Sequence, residues 1–141
     1  MVKFLHPCVS IMDPEKAVQF YEALGYHRTR TVAVALDDQG REVEATEGRT
    51  ASLTNYWMGL GDQEMALELR YEHDMEIYEP THGHISLLVD MDTTVERLKE
   101  RGFGLEVPPY RPMPGSEVVI AFLRDPAGNL VELTDTPTAG G

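Results

Sequence analysis

Hydrophobic and polar residues follow the same order in two successive blocks of this chain. Residues 6–26, HPCVSIMDPEKAVQFYEALGY, open on His6 and run through a short apolar stretch to Asp13. They then pass into a segment whose apolar residues Val18, Phe20, Tyr21 and Leu24 recur at helical spacing. Residues 84–103, HISLLVDMDTTVERLKERGF, repeat the order from His84 through an apolar strand to Asp90, with Met91, Val95 and Leu98 on the inner helix face. From Asp13 to Gly25 is 12 residues, and from Asp90 to Gly102 is also 12. Each aspartate suits a helix N-cap, and Pro14 suits the first helical position. Each glycine suits a left-handed C-terminal cap, and an aromatic follows it, Tyr26 or Phe103. Acidic Glu15 early, and basic Lys99 and Arg101 late, match the helix dipole.

Strand signals follow each helix. In the first block they are HRTRTVAVAL, RTASLTNYWMGL and EMALELRYE; in the second they are FGLEV, EVVIAFLRD and NLVELTD. DPAGN, residues 125–129, reads as a tight hairpin turn. The order is therefore βαβββ twice, an α+β fold with mixed or antiparallel sheets and each helix packed outside its own sheet. Module one spans about residues 1–72 and module two about 82–136, in a single domain, with a disordered tail at 137–141.

The 141 residues are 42% hydrophobic, ordinary for one globular domain. No window approaches the roughly 18–20 apolar residues of a membrane helix. The opening MVKFLHPCVS lacks the apolar core of a secretory signal. A net charge of −12 argues against nucleic acid or an anionic membrane as partner. The single Cys8 excludes an internal disulfide and fits a reducing, cytoplasmic setting.

The repeat also aligns chemistry. Each block begins on a histidine, and each last strand carries a glutamate in an apolar frame: Leu67–Glu68–Leu69 and Val131–Glu132–Leu133. A carboxylate inside such a frame is costly if buried without a partner. Two imidazoles and two carboxylates at matching places point to one divalent metal ion held by His6, Glu68, His84 and Glu132. His82 competes with His84, but the repeat aligns His84 with His6. His27 and His73 have no counterpart and read as surface. Cys8 shares a strand face with His6 and reads as packing beside the ligands. Trp57, Met58, Met65 and Phe122 are candidates for an apolar pocket, although ordinary core is the simpler reading of each.

The stretches FLHPCVSIMDPEKAVQFYEALGY, ALELRYE, HGHISLLVD and VVIAFLRDPAGNLVEL resemble the vicinal oxygen chelate superfamily, and within it the bacterial glyoxalase I (lactoylglutathione lyase) type. The resemblance implies paired βαβββ modules with curved mixed sheets and His6, Glu68, His84 and Glu132 as metal ligands. It also implies a homodimer whose sites are assembled at the interface from His6 and Glu68 of one subunit and His84 and Glu132 of the other. One Ni2+, Co2+ or Zn2+ per site is implied. So is isomerisation of a 2-oxoaldehyde–thiol hemithioacetal, such as that of methylglyoxal, to a 2-hydroxyacyl thioester. Glu132 is then the leading catalytic base, with Glu68 assisting. The alternatives within the superfamily are another metal-dependent isomerase, epimerase or lyase, an extradiol dioxygenase, and a small-molecule binding or resistance protein. Four ligands disfavour the dioxygenase, which needs open positions. The pattern departs from glyoxalase I where a thiol's carboxylates are held: Ser10 replaces an expected Arg and Glu72 an expected Asn. In PPYRPMPGSE only Arg111 is basic, so Tyr110, Arg111 and Met113 stand as candidate substrate contacts and the thiol stays open.

Overall fold

The computed structural model describes residues 2–46 and 48–136, so the tail expected to be disordered lies outside the described residues. The chain divides into two compact units, Met1–Tyr78 and Glu79–Gly141. In the first, β1 (Cys8–Ser10) leads to α1 (Pro14–Ala23), then β2 (His27–Leu36), β3 (Glu42–Glu44), β4 (Leu53–Leu60) and β5 (Gln63–Glu72). The strands lie in the order β1-β5-β4-β2-β3. Only β1 and β5 run parallel, in a register that pairs Cys8 with Glu68 and Ser10 with Arg70.

The second unit holds β6 (His84–Leu88), α2 (Met91–Glu100), β7 (Val107–Tyr110), β8 (Val119–Arg124) and β9 (Leu130–Asp135), with the strands in the order β6-β9-β8-β7. Here β6 and β9 are the parallel pair, with Ser86 opposite Glu132. Each unit is thus a mixed sheet with one helix, as the repeated βαβββ pattern predicts.

In each sheet one face is core. Met58, Leu67 and Leu69 in the first unit, and Ala121, Leu123, Val131 and Leu133 in the second, have no exposed surface. Strand alternation turns Glu68 and Glu132 to the opposite face. Helix α1 packs against β2 and buries Ala17, Phe20, Tyr21 and Ala23; α2 packs against β9 and buries Met91, Thr94 and Leu98. The expected inner residue Val95 is only half-buried, because the α2 stripe follows 91, 94 and 98.

The helix ends match each other bond for bond. Asp13 accepts from the Lys16 N–H and Asp90 from the Thr93 N–H, satisfying free donors of the first turn. At the other end Gly25 and Gly102 take φ of 110° and 84°. The Tyr26 and Phe103 N–H groups then reach back to the Tyr21 and Leu98 carbonyls at 3.1 and 2.9 Å.

Three details depart from the sequence pattern. The ladder of β1 starts at Cys8, two residues after His6, because Pro7 has no N–H to donate; its carbonyl accepts from Glu68 N–H at 3.0 Å. A short β3 is added beside β2. The strand expected over FGLEV forms at Val107–Tyr110 instead, since the cap at Gly102 commits the first residues to the connection. β7 carries Pro108 and Pro109, tolerated because it lies at the sheet edge.

The DPAGN turn joins β8 to β9 around the buried Asp125. Its carboxylate accepts from the Ala127 and Asn129 backbone and from the Asn129 amide, all at 2.8–2.9 Å. Gly128 has φ of 93°, and a Cβ there would lie 3.0 Å from Pro80 Cγ. Gly128→Ala is expected to destabilise the protein by about 1–2 kcal/mol in urea unfolding, from left-handed strain and that contact. Gly104→Ala, with nothing within 4 Å, is expected to cost much less.

Candidate functional site

Parallel register places a histidine beside a glutamate in each unit. Residues opposite each other in a sheet share a face, and so do residues two apart on a strand. His6 precedes Cys8 by two, and Cys8 is opposite Glu68. His84 precedes Ser86 by two, and Ser86 is opposite Glu132. The outcome is the same pair made twice: His6 Nε2 lies 3.4 Å from Glu68 Oε2, and His84 Nε2 lies 3.3 Å from Glu132 Oε2. Histidine and carboxylate ligands of one ion, each bound at about 2.1 Å, sit roughly 3.0–3.4 Å apart between octahedral and tetrahedral angles. Both pairs meet that requirement before any ion arrives. His84 opens β6 beside Glu132, whereas His82 lies in the exposed segment before it.

Each pair has an aromatic neighbour on the next strand. Trp57 is opposite Glu68 on β4, and its ring meets the His6 ring edge-on with centroids 4.7 Å apart. Phe122 is opposite Glu132 on β8, edge-on to His84 at 6.5 Å. Trp57 and Phe122 lie on the faces that carry the two His–Glu pairs, whereas Met58 is core. Met65 is exposed and lines a cavity of about 440 Å³ with Leu5, His6 and Gln63.

Each glutamate also has a hydrogen-bond donor beside it. Thr134 Oγ1–H donates to Glu132 Oε1 at 3.0 Å, leaving Oε2 as the atom that faces His84. Glu68 receives the Cys8 thiol. Desolvation, then the charge of Glu68 and the hydrogen bond to it, push that thiol up to about 11. It is therefore protonated at neutral pH and acts as a donor to Glu68. Thr134 escaped the sequence reading, although its place two residues after Glu132 puts it on that face. The first pair is the more enclosed: His6 is 20% exposed and His84 40%.

Other predicted residues are more dispersed. Tyr110 ends β7 opposite Ile120, and Ile120 is opposite Thr134, so Tyr110 shares the Glu132 face. Arg111 and Met113 lie on the exposed loop after it. His27 is exposed, and His73 bonds the Thr54 hydroxyl at 2.9 Å, as surface histidines do. Among the described residues, no group of three or more His, Cys, Asp or Glu side chains could hold a metal ion. Each pair offers two donors. Nor, among the described residues, is any helix long and apolar enough to cross a membrane.

Comparison with known proteins gives a consistent result. The sequence pattern of the Glyoxalase/Bleomycin resistance protein/Dioxygenase superfamily matches residues 3–133. Lactoylglutathione lyase of Salmonella typhimurium is 28% identical, over 99% of this chain and 96% of its own length. The structure of the trypanothione-dependent glyoxalase I of Leishmania major superposes with a TM-score of 0.68 at 23% identity, over 99% of this chain and 91% of that one. Glyoxalase I from Zea mays superposes with a TM-score of 0.69 at 25% identity, and this chain covers only 43% of its length.

The Trp57–His6 contact can be read directly in solution. The carbon-bound imidazole protons of His6 are expected to be displaced by the Trp57 ring current, and Trp57→Leu should return them toward free-histidine positions in 1H–13C spectra while His27 stays put.

Proposed function

Because the chain belongs to the glyoxalase/bleomycin resistance protein/dioxygenase superfamily, we propose that it is a metal-dependent lyase of the glyoxalase I type. Its substrate is the hemithioacetal of a 2-oxoaldehyde and a thiol, and its product a 2-hydroxyacyl thioester. The observation that carries this reading is the His–Glu pair made twice in the same register, with donor separations that fit cis ligands of one ion. We assign the ion to His6 and Glu68 of one subunit together with His84 and Glu132 of the partner subunit, in a two-fold homodimer. Two imidazoles and two carboxylates would suit Ni2+, Co2+ or Zn2+. When bound, the ion supplies a Lewis acid that lowers the energy of negative charge on the substrate oxygen.

The proton work falls to the carboxylates. Glu132 takes the proton from the carbon bearing sulfur. The C–H electron pair becomes the second bond between the two carbons, and charge moves onto the neighbouring carbonyl oxygen. The same carboxyl group then returns the proton to the neighbouring carbon. The hydroxyl proton on the sulfur-bearing carbon passes to the charged oxygen, leaving a thioester and a new hydroxyl, with nothing oxidised or reduced overall. Thr134 orients the Glu132 carboxylate by donating to Oε1. Glu68, held by Cys8, occupies the equivalent place in the other half and assists.

Chelated protein is expected to lose turnover of methylglyoxal hemithioacetals, and Ni2+, Co2+ or Zn2+ to restore it. Glu132→Gln and Glu68→Gln should each lower kcat by about 100-fold or more with little change in Tm. Near-normal turnover in both variants would exclude this reading. Binding has its own readout. Trp57 is the single tryptophan of the chain. Co2+ should quench its emission, and His6→Ala should abolish the quenching.

A further inference from the structure

The ligand-bearing face of the first sheet continues past Glu68 into a second cluster. The register puts Arg70 and Glu72 on this face of β5, and Asn55 and Leu53 opposite them on β4. It puts Arg30 on the same face of β2, opposite Trp57, and Glu42 and Glu44 there on β3. Arg70 is two residues beyond Glu68, about 7 Å along the strand, within reach of one small substrate. A cavity of about 380 Å³ opens here, lined by Glu42, Leu53, Arg70, Glu72, Asp74 and Met75 among others.

Both arginines on this face are already engaged. Arg70 bonds Glu42 through Nη2 and Glu72 through Nε, the latter at 3.2 Å. The first bond reaches from β5 to β3 across a sheet whose order is β5-β4-β2-β3, so the sheet curls and Arg70 closes its hollow side. Arg30 lies 3.7 Å from Glu44. The bond to Glu42 holds Arg70 still more firmly protonated, and the same bond holds the Glu42 carboxyl below its ordinary value. The other charged groups of the lining are the carboxylates of Glu72 and Asp74. A carboxylate entering this hollow would have to compete with Glu42 and Glu72 for Arg70, and would meet Asp74.

We infer that this hollow receives the carrier part of the substrate and selects a neutral or cationic carrier over one bearing free carboxylates. The inference rests on the lyase reading above and sharpens it, naming the class of thiol that reading leaves open. Like charges brought together at a binding face cost enough to dominate such a choice. A carrier offering amide or ammonium N–H groups would instead find Glu72 and Asp74 as acceptors.

The test compares two carriers of equal backbone. Methylglyoxal hemithioacetals of glutathione and of glutathione diethyl ester are supplied to the metal-loaded protein, and thioester formation is followed. The ester adduct is expected to have kcat/KM about tenfold or more above the glutathione adduct, with the difference mainly in KM. Glu42→Gln, which weakens the hold on Arg70 while keeping the side chain's size, should narrow that ratio at least about threefold. Glu72→Gln should narrow it too, so the test survives if one variant folds poorly. Equal or better turnover of the glutathione adduct would overturn the inference and leave the lyase reading intact. No turnover of either adduct, in protein whose Trp57 emission responds to Co2+, would overturn the lyase reading and this inference with it.

Discussion

The parallel register between the first and last strand of each unit is the constraint on which the candidate site depends. It fixes which residue of the last strand shares a face and a height with each histidine. A one-residue slip of β5 against β1 would turn Glu68 into the core and bring Leu67 or Leu69 to the histidine face. That slip is blocked by the buried pair Leu67 and Leu69, as it is in the other unit by Val131 and Leu133. The same buried residues that form the core face of each sheet thus hold each glutamate against its histidine. Packing and chemistry are set by one alternation rather than by two separate devices.

The two halves share this scaffold but differ in their surroundings. Trp57 crowds His6 more closely than Phe122 crowds His84. A thiol donates to Glu68, where a hydroxyl donates to Glu132. The hydroxyl is the stronger donor of the two. It sits beside the carboxylate assigned the proton transfer, where fixed orientation matters most. Under the lyase reading proposed above, the more enclosed half anchors and the more open half moves the proton. This division follows from local contacts inside each unit.

Much of this was legible in the residue order, and the reasons differ by feature. His6, Glu68, His84 and Glu132 stand at matching offsets from Asp and Gly landmarks, so the pairing His6–Glu68 and His84–Glu132 could be read from the repeat. The helix caps at Asp13, Gly25, Asp90 and Gly102 are local chemistry and formed as read. β7 slid toward its prolines because edge pairing, decided by β8 and not by local preference, chose its residues. The bond from Arg70 to Glu42 could not be read, because it depends on how far the sheet curls, a property of all its strands together. Thr134 lay in plain view in VELTD, but only the observed side-chain geometry distinguishes a donor to Glu132 from an ordinary strand threonine.

The prolines of β7 carry one more consequence. An outer strand ordinarily exposes a row of free N–H and C=O groups on which another chain's strand can settle. Pro108 and Pro109 remove two of the four N–H groups of β7, and Tyr110 follows directly. A stray strand approaching that side of the second sheet would find half its expected donors missing and could not extend the ladder in register. That margin of the second sheet is thereby blunted against extension by another chain's strand.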